Sequence, residues 1–425
     1  SWYLLSADER QVLAALSVFR GGFEVEAARE VACATRALLA ALMDKSWLLW
    51  KPSGRYDIHE LARQYASHQL VASGAFDLMQ KRYTDYFLKL SDAASDGMQG
   101  RQQGTWMKQI DQDIDNLRAV LKWFSQHAPD EGLRMIQNLF WLWQSTRYLQ
   151  EGRNWFKIML AHPKGVSPIL RAEAYNSAGL FAIMMNDTED AEELFARSFV
   201  IYQQLDPSEE QVGKGLANLL GHQGLAAIFR GDYLQAVQLC RKGLAIAHRI
   251  GSQWLIFSAL SFMGHALYHQ GLFDEARRTY EEAFFLCEAM GYQRAVGRAY
   301  VRLGNIACAQ GNLTQASTLL TNGLTVAAEC HDLVGIGMVL IGLAGVAALR
   351  GDYQRAALLL AAKEQTATTN PVVRFWPLER REAECTLRLI HTYLDDTIFA
   401  TAWADGSALS IEQAVAYALA DPNRA

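Results

Sequence analysis

The chain has 425 residues, is 51% hydrophobic and 20% charged, and carries a net charge of −5 at pH 7 from 40 Lys and Arg against 45 Asp and Glu. That length suits two or three domains or one repeat array, in the composition of an ordinary soluble protein. With no excess of positive charge, the counterion release that dominates DNA affinity has little to act on, so no direct nucleic-acid partner is expected.

The first 75 residues hold eight Lys and Arg against eight Asp and Glu. Their opening, "SWYLLSADER", has neither a basic start nor a cleavage site, so no signal peptide is expected. "ADERQVLAALSVF" and "ATRALLAALMDKS" read as amphipathic helices, and "WLLWK" and "RYDI" as short strands joined by a turn at Pro52-Ser53-Gly54. Helices followed by a small hairpin predict a winged helix over 1–75. Next, "RYDIHELARQYA" places His59 at the first turn of a helix, where an imidazole ordinarily serves as a partly buried cap. Residues 76–130 read as a helical linker that includes "DQDIDNLRAVLKWF" at 111–124.

Beyond it the chain repeats. "RGDYLQA", "QGLFDEA", "QGNLTQA" and "RGDYQRA" put glycines at Gly231, Gly271, Gly311 and Gly351, forty residues apart each time. A fixed period of this size is the signature of a solenoid. Seven residues before each glycine lies a small residue, Gly224, Gly264, Gly304 or Ala344, and five after it an alanine, Ala236, Ala276, Ala316 or Ala356. Small side chains there let two antiparallel helices approach closely. Carried backwards, the register puts Asn186 and Arg147 at turns, giving six helical hairpins over 131–365, the first two degenerate. Ser167-Pro168 and Asp206-Pro207-Ser208-Glu209 each offer a capping side chain and a helix-initiating proline. The stretch 366–425 reads as a helical cap, its last helix opened by a capping box from Ser410 to Gln413.

Leu333 to Leu349 carries no charge over 17 residues, the lower edge of a membrane span. It lies in register with the repeats, so it is read as a solenoid helix and no membrane partner is expected. Cys33, Cys240, Cys287, Cys308, Cys330 and Cys385 are scattered without a CxxC pair, which suits buried thiols in a reducing cytoplasm.

Two resemblances follow from these residues. Leu303-Gly304, Gly231-Asp232-Tyr233, Ala276 and Tyr280 resemble the tetratricopeptide (TPR) pattern, in the longer-helix variety of bacterial regulators. "LSVFRGGFEVEAA", "LLAALMDKSWLL", "GRYDIHELARQYA", "DQDIDNLRAVLKWF" and "AWADGSALSIEQAVAYAL" resemble segments of bacterial STAND proteins, signal-transduction ATPases with a winged helix and a sensor array after the nucleotide domain. The resemblance implies an all-α chain, a winged helix followed by a TPR superhelix, forming the C-terminal part of a larger protein. It also implies that Ile58-His59-Glu60 stands at the Met-His-Asp-type motif whose histidine touches the β-phosphate of ADP. Ile and Glu depart from that motif on both sides.

No GxxxxGK followed by Ser or Thr occurs, so ADP and ATP belong to the parent protein and this chain is expected to hold no cofactor. There is no GxSxG, and no catalytic residue is assigned. His265 and His269 stand four apart without a third ligand, so no metal site is assigned. In TPR proteins the first helix of each unit lines the concave groove. Carrying that register over gives Arg134, Gln137, Trp141, Gln144, Glu173, Asn176, Asn218, Ser258, Ser261, His265, Tyr268, Arg298 and Asn305 as a polar stripe for an inducer or protein partner. The fourth full unit offers apolar residues instead, Met338, Ile341 and Leu349, suited to packing on a partner or on the end of the superhelix. The expected function is the sensor arm of a STAND switch, with a free-standing TPR scaffold as the alternative. The isolated chain is expected to be a monomer.

Overall fold

The computed structural model describes residues 2–98, 103–144, 147–162, 165–369 and 379–420. It divides into two compact units, Ser1–Gln144 with Asn154–Ser167, and Ser145–Arg153 with Pro168–Ala425.

In the first unit a short turn of 3-10 helix at Trp2–Leu4 precedes α1 (Ala7–Leu16). Ser6 opens α1 with a capping box: its Oγ accepts from Glu9 N, and the Glu9 carboxylate accepts from Ser6 N at 2.7 Å. Then come α2 (Val25–Ala32), α3 (Arg36–Asp44), the antiparallel strands β1 (Leu48–Trp50) and β2 (Tyr56–Ile58), and α4 (Glu60–Ala72). The two helices, the hairpin and its turn fall where the sequence put them. The helix α2 between them was not anticipated: only eight residues long, it ends at Cys33 in a left-handed conformation, φ 54°.

Beyond α4 follow α5 (Phe76–Gly97), α6 (Gln103–Gln112), α7 (Ile114–His127), α8 (Pro129–Asn138), the single turn α9 (Phe140–Trp143) and α10 (Leu149–Leu160). α1 packs on α2, α3 and α4, and α2 packs on α5; Leu13, Leu16, Leu39, Leu42, Tyr83 and Phe87 are buried among these helices. Phe19 joins them edge-on to Tyr83, ring centroids 5.3 Å apart, and lies 4.6 Å from Phe23.

The second unit holds five regular helical hairpins: α11 (Pro168–Met184) with α12 (Thr188–Tyr202), α13 (Glu210–Arg230) with α14 (Tyr233–Ile250), α15 (Gln253–His269) with α16 (Phe273–Ala289), α17 (Gln293–Ala309) with α18 (Leu313–Glu329), and α19 (Leu333–Leu349) with α20 (Tyr353–Thr369). Where a further hairpin was read from residue 131, the chain runs through the separate helices α8, α9 and α10. α11 begins at Pro168 as expected, but α13 begins at Glu210. Pro207 lies before it in a turn closed by Asp206, whose carboxylate accepts from Ser208 N and Oγ.

Gly231, Gly271, Gly311 and Gly351 all take left-handed backbone, φ 77° to 84°, and Asn186 does the same at φ 61°. A residue without a Cβ is favoured there, and asparagine tolerates it. A second left-handed series, Gly251, Gly291 and His331, closes the opposite ends of the helices at the same spacing. The small residues sit at the crossings. A Cβ on Gly224 would lie 2.6 Å from Cys240 Sγ, one on Gly264 3.0 Å from the Tyr280 ring, and one on Gly304 2.8 Å from Leu320 Cγ. In each case the intruding side chain comes sixteen residues on.

Among the described residues three further helices follow: α21 (Arg380–Tyr393), α22 (Asp396–Ser407) and α23 (Ile411–Leu419), the last opened by the Ser410–Gln413 capping box. The charge-free α19 is buried along most of its length between α18, α20 and α21. Of the described helices none is long and apolar enough to cross a membrane.

Candidate functional site

Two arrangements gather polar side chains, one in each unit. In the first, β2 ends at buried Ile58 and α4 begins at Glu60, which leaves His59 at the N-cap. A residue there usually lends a side-chain acceptor to the free N–H groups of the first turn. The His59 ring makes no such bond and is exposed, which corrects the reading of a partly buried cap. It opens instead on a pocket of about 420 Å³ shared with Arg20, Lys51 and Arg63, and with Asp57, Glu60 and Asp115. Lys51 pairs with Asp57 at 2.5 Å, Arg63 with Glu60, and Asp115 with Arg118 at 3.1 Å. Arg20 is exposed and has no ion-pair partner among the described residues. Three fixed cations against three carboxylates leave the pocket near neutrality.

The wall carrying Arg20 is pinned from below. Asn116 Oδ1 accepts from Arg20 N at 2.9 Å, Gly21 N at 3.2 Å and Tyr83 Oη at 3.0 Å. Its Nδ2 donates to Gly22 O at 3.0 Å and to Asp113 Oδ1 at 2.9 Å. Arg55, 4% exposed, donates to Gly22 O at 2.6 Å and forms a buried ion pair with Asp113. Burial pushes the Asp113 carboxyl up, and the Arg55 charge opposes it. A Cβ on Gly22 would meet Tyr56 O at 3.1 Å, so the loop passes close to the hairpin. The stretch at 111–124 thus supplies the support for the pocket wall, a role its sequence did not announce.

The expected stripe divides between the units. Arg134, Gln137, Trp141 and Gln144 lie in the first, on α8, within α9 and at its end. Arg134 there donates twice to Asp92, at 3.1 and 2.6 Å, and the other three are half-buried. The remaining nine lie on the first helices of the solenoid hairpins, but several do not stand open. Asn176 is buried and accepts from His222 Nδ1 at 2.9 Å; burial holds that imidazole neutral, down at about 4. Asn305 and His265 are buried too, and both His265 ring nitrogens lack a partner among the described residues. Arg298 is committed to Asp332 at 3.0 and 3.1 Å. Ser261 donates back to Phe257 O at 2.8 Å. Glu173, raised by burial, accepts from Gln211 at 3.4 Å. Asn218, Ser258 and Tyr268 are half-buried.

Burial of His265 has a local cause. Its ring lies 4.5 Å from that of His269, whose Nε2 stands 3.9 Å from Glu382 at the start of α21. Beside them Arg302 donates to Glu379 at 2.6 Å. Burial pushes Glu382 up to about 7 and His269 down to about 4. The groove register named positions 298 and 305 and passed over Arg302, and nothing in the period pointed to Glu379 or Glu382. Among the described residues no three His, Cys, Asp or Glu side chains gather to hold a metal.

The family model described as "MalT-like TPR region" matches residues 167–413, more than half of the chain and nearly all of the solenoid. The chain belongs to this family. The MalT-like TPR chain is also 26% identical over 347 residues to proteins of Mycobacterium bovis and Mycobacterium tuberculosis named "Putative HTH-type transcriptional regulator". The match covers 77% of this chain but only 38% of theirs. Among solved structures, a Signal Transduction ATPase with Numerous Domains (STAND) protein with a TPR sensor from Pyrococcus horikoshii is 14% identical, with a TM-score of 0.49, over 94% of this chain and 66% of that one. Aspartyl phosphate phosphatase F from Bacillus subtilis is 12% identical, with a TM-score of 0.46, over 96% and 97%.

Proposed function

We propose that this chain is the regulatory and sensor arm of a STAND-type ATPase switch, its first 75 residues acting as the winged helix and its solenoid receiving an inducer, a small ligand or a protein. The observation that carries the nucleotide half of this reading is His59, exposed, uncapped and facing a pocket with Arg20, Lys51 and Arg63. An imidazole donor there, at the start of α4 where the helix dipole favours negative charge, suits a phosphate presented by a nucleotide domain of the same parent chain. Contact of this kind stabilises the ADP-bound, inactive state; an inducer acts by binding the open state better than the closed one. The sensor half is supported by membership of the MalT-like TPR region family. Transcriptional output is the corresponding proposal for the parent, in line with the names of the mycobacterial relatives.

The test is ADP release from the full-length parent. His59→Ala should speed release and raise basal activity, the lost bond being worth about 1.5–3 kcal/mol. An unchanged release rate rejects the phosphate role. The second reading, a TPR scaffold that binds partners without reference to nucleotide, draws on the charge balance of the pocket; it requires partner affinity to be the same in ADP and in ATP.

A further inference from the structure

α21 lies against α19 and α20, and together with the residue that precedes it reaches α17 at Arg302 and α15 at His269. Glu379, Glu382, Ala383, Thr386, Leu387 and Ile390 form one helical stripe that meets the solenoid, with Leu389 and Tyr393 packing beside it. Glu379, 3% exposed, pairs with Arg302 at 2.6 Å. Glu382 faces His269, and Ile390 enters the same core as Met338 and Ile341. Thr386 Oγ1 lies 3.6 Å from the point where Gly345 would carry a Cβ, which places this side of α21 directly against α19. The opposite face of α21, with Arg380, Arg381, Glu384, Arg388 and His391, is exposed.

This is a helix laid into a groove, with one buried ion pair fixing its register and an apolar row supplying area. The fit is incomplete. Glu382 Oε2 is buried without a partner among the described residues, as are both ring nitrogens of His265 beside His269, and a carboxylate oxygen left so opposes the docked state. An occupant held by strong anchors yet leaving neighbouring polar atoms unsatisfied is one that a better-matched helix displaces.

We propose that the surface made by α19 and α20, with Arg302 of α17 and His269 of α15 beside it, is a receptor for an acidic amphipathic helix, which α21 fills in cis. A partner protein binds by offering a helix with two carboxylates three residues apart followed by an apolar row. The proposal deepens the sensor reading of the solenoid and is independent of the phosphate role of His59, whose readout is ADP release.

A fluorescent synthetic peptide of residues 379–393 serves as the probe, with the full chain as receptor. Leu387→Asp with Ile390→Asp should release α21, seen as faster amide exchange over 380–393, and should tighten peptide binding at least tenfold relative to the native chain. Adding Arg302→Glu should abolish the gain, and a peptide carrying Glu379→Arg should restore it. Where the double variant loses helical signal in circular dichroism, Glu379→Gln alone is used, with a smaller gain expected. The proposal is overturned by an opened chain that does not bind the peptide, by binding indifferent to Arg302→Glu, or by exchange of α21 as slow in the variant as in the native chain.

Discussion

His222 shows what burial does to a single titratable group. Its ring donates to Asn176, no charge stands close enough to shift it, and burial alone holds its pKa at about 4 against an ordinary 6.5. A histidine whose folded pKa is depressed contributes stability that is intact above the unfolded value and lost as pH falls toward the folded one. The solenoid should therefore weaken between pH 6.5 and about 4, by about 3 kcal/mol at most. Urea midpoints of the native chain and of His222→Gln, compared at pH 7 and pH 5, check this: the native chain should lose more than the variant. An equal loss would place the acid lability elsewhere. At this scale the sequence was uneven. His59 was found because a strand, a turn and a helix start announce its position locally. Asn116, Asp113 and Arg55 were not, because Arg55 and Asp113 meet across 58 residues and contacts of that kind leave no period to read. The register assigned His265 to the groove, but its burial beside His269 was not legible, because it depends on packing that leaves no period to read.

Among the elements, the regular hairpins were the most legible because two constraints coincide at each one. A left-handed turn favours glycine, or asparagine as at Asn186, and a close helix crossing demands a small residue seven positions earlier. The elements that escaped the reading, α2 and the broken run α8–α9, are eight residues long or fewer, or interrupted, and too short for helical periodicity to stand out. The strictest crossing is outside the repeat. A Cβ on Gly406 in α22 would lie 2.3 Å from the backbone oxygen of Leu358 in α20, and backbone, unlike a flexible side chain, cannot step aside. Gly406→Ala should force α22 away from α20, at a cost of roughly 1–3 kcal/mol or more. Amide exchange should then rise in α22 and α23 while α11–α14 keep their protection. Uniform exchange across the unit would show that the cap and the hairpins melt as one.

At the scale of the whole second unit, each hairpin packs on its sequence neighbours, and the last is closed by α21, α22 and α23. Such an array behaves as a sum of units and nearest-neighbour interfaces. A second copy of residues 233–272, inserted after Leu272, should therefore fold. It adds one helix of each kind, and the glycine spacing of forty carries through the junction. Circular dichroism should show helical signal rising in proportion to length, with a melting temperature no lower than that of the native chain. Loss of cooperative melting would mean that the ends sense each other. The doubled series of left-handed turns, one at each end of the hairpins, makes this tolerance heritable. Whenever the coding segment between two equivalent turns is duplicated or lost, the reading of inside and outside is preserved, so the array can change length in a single genetic event without first passing through an unfolded ancestor.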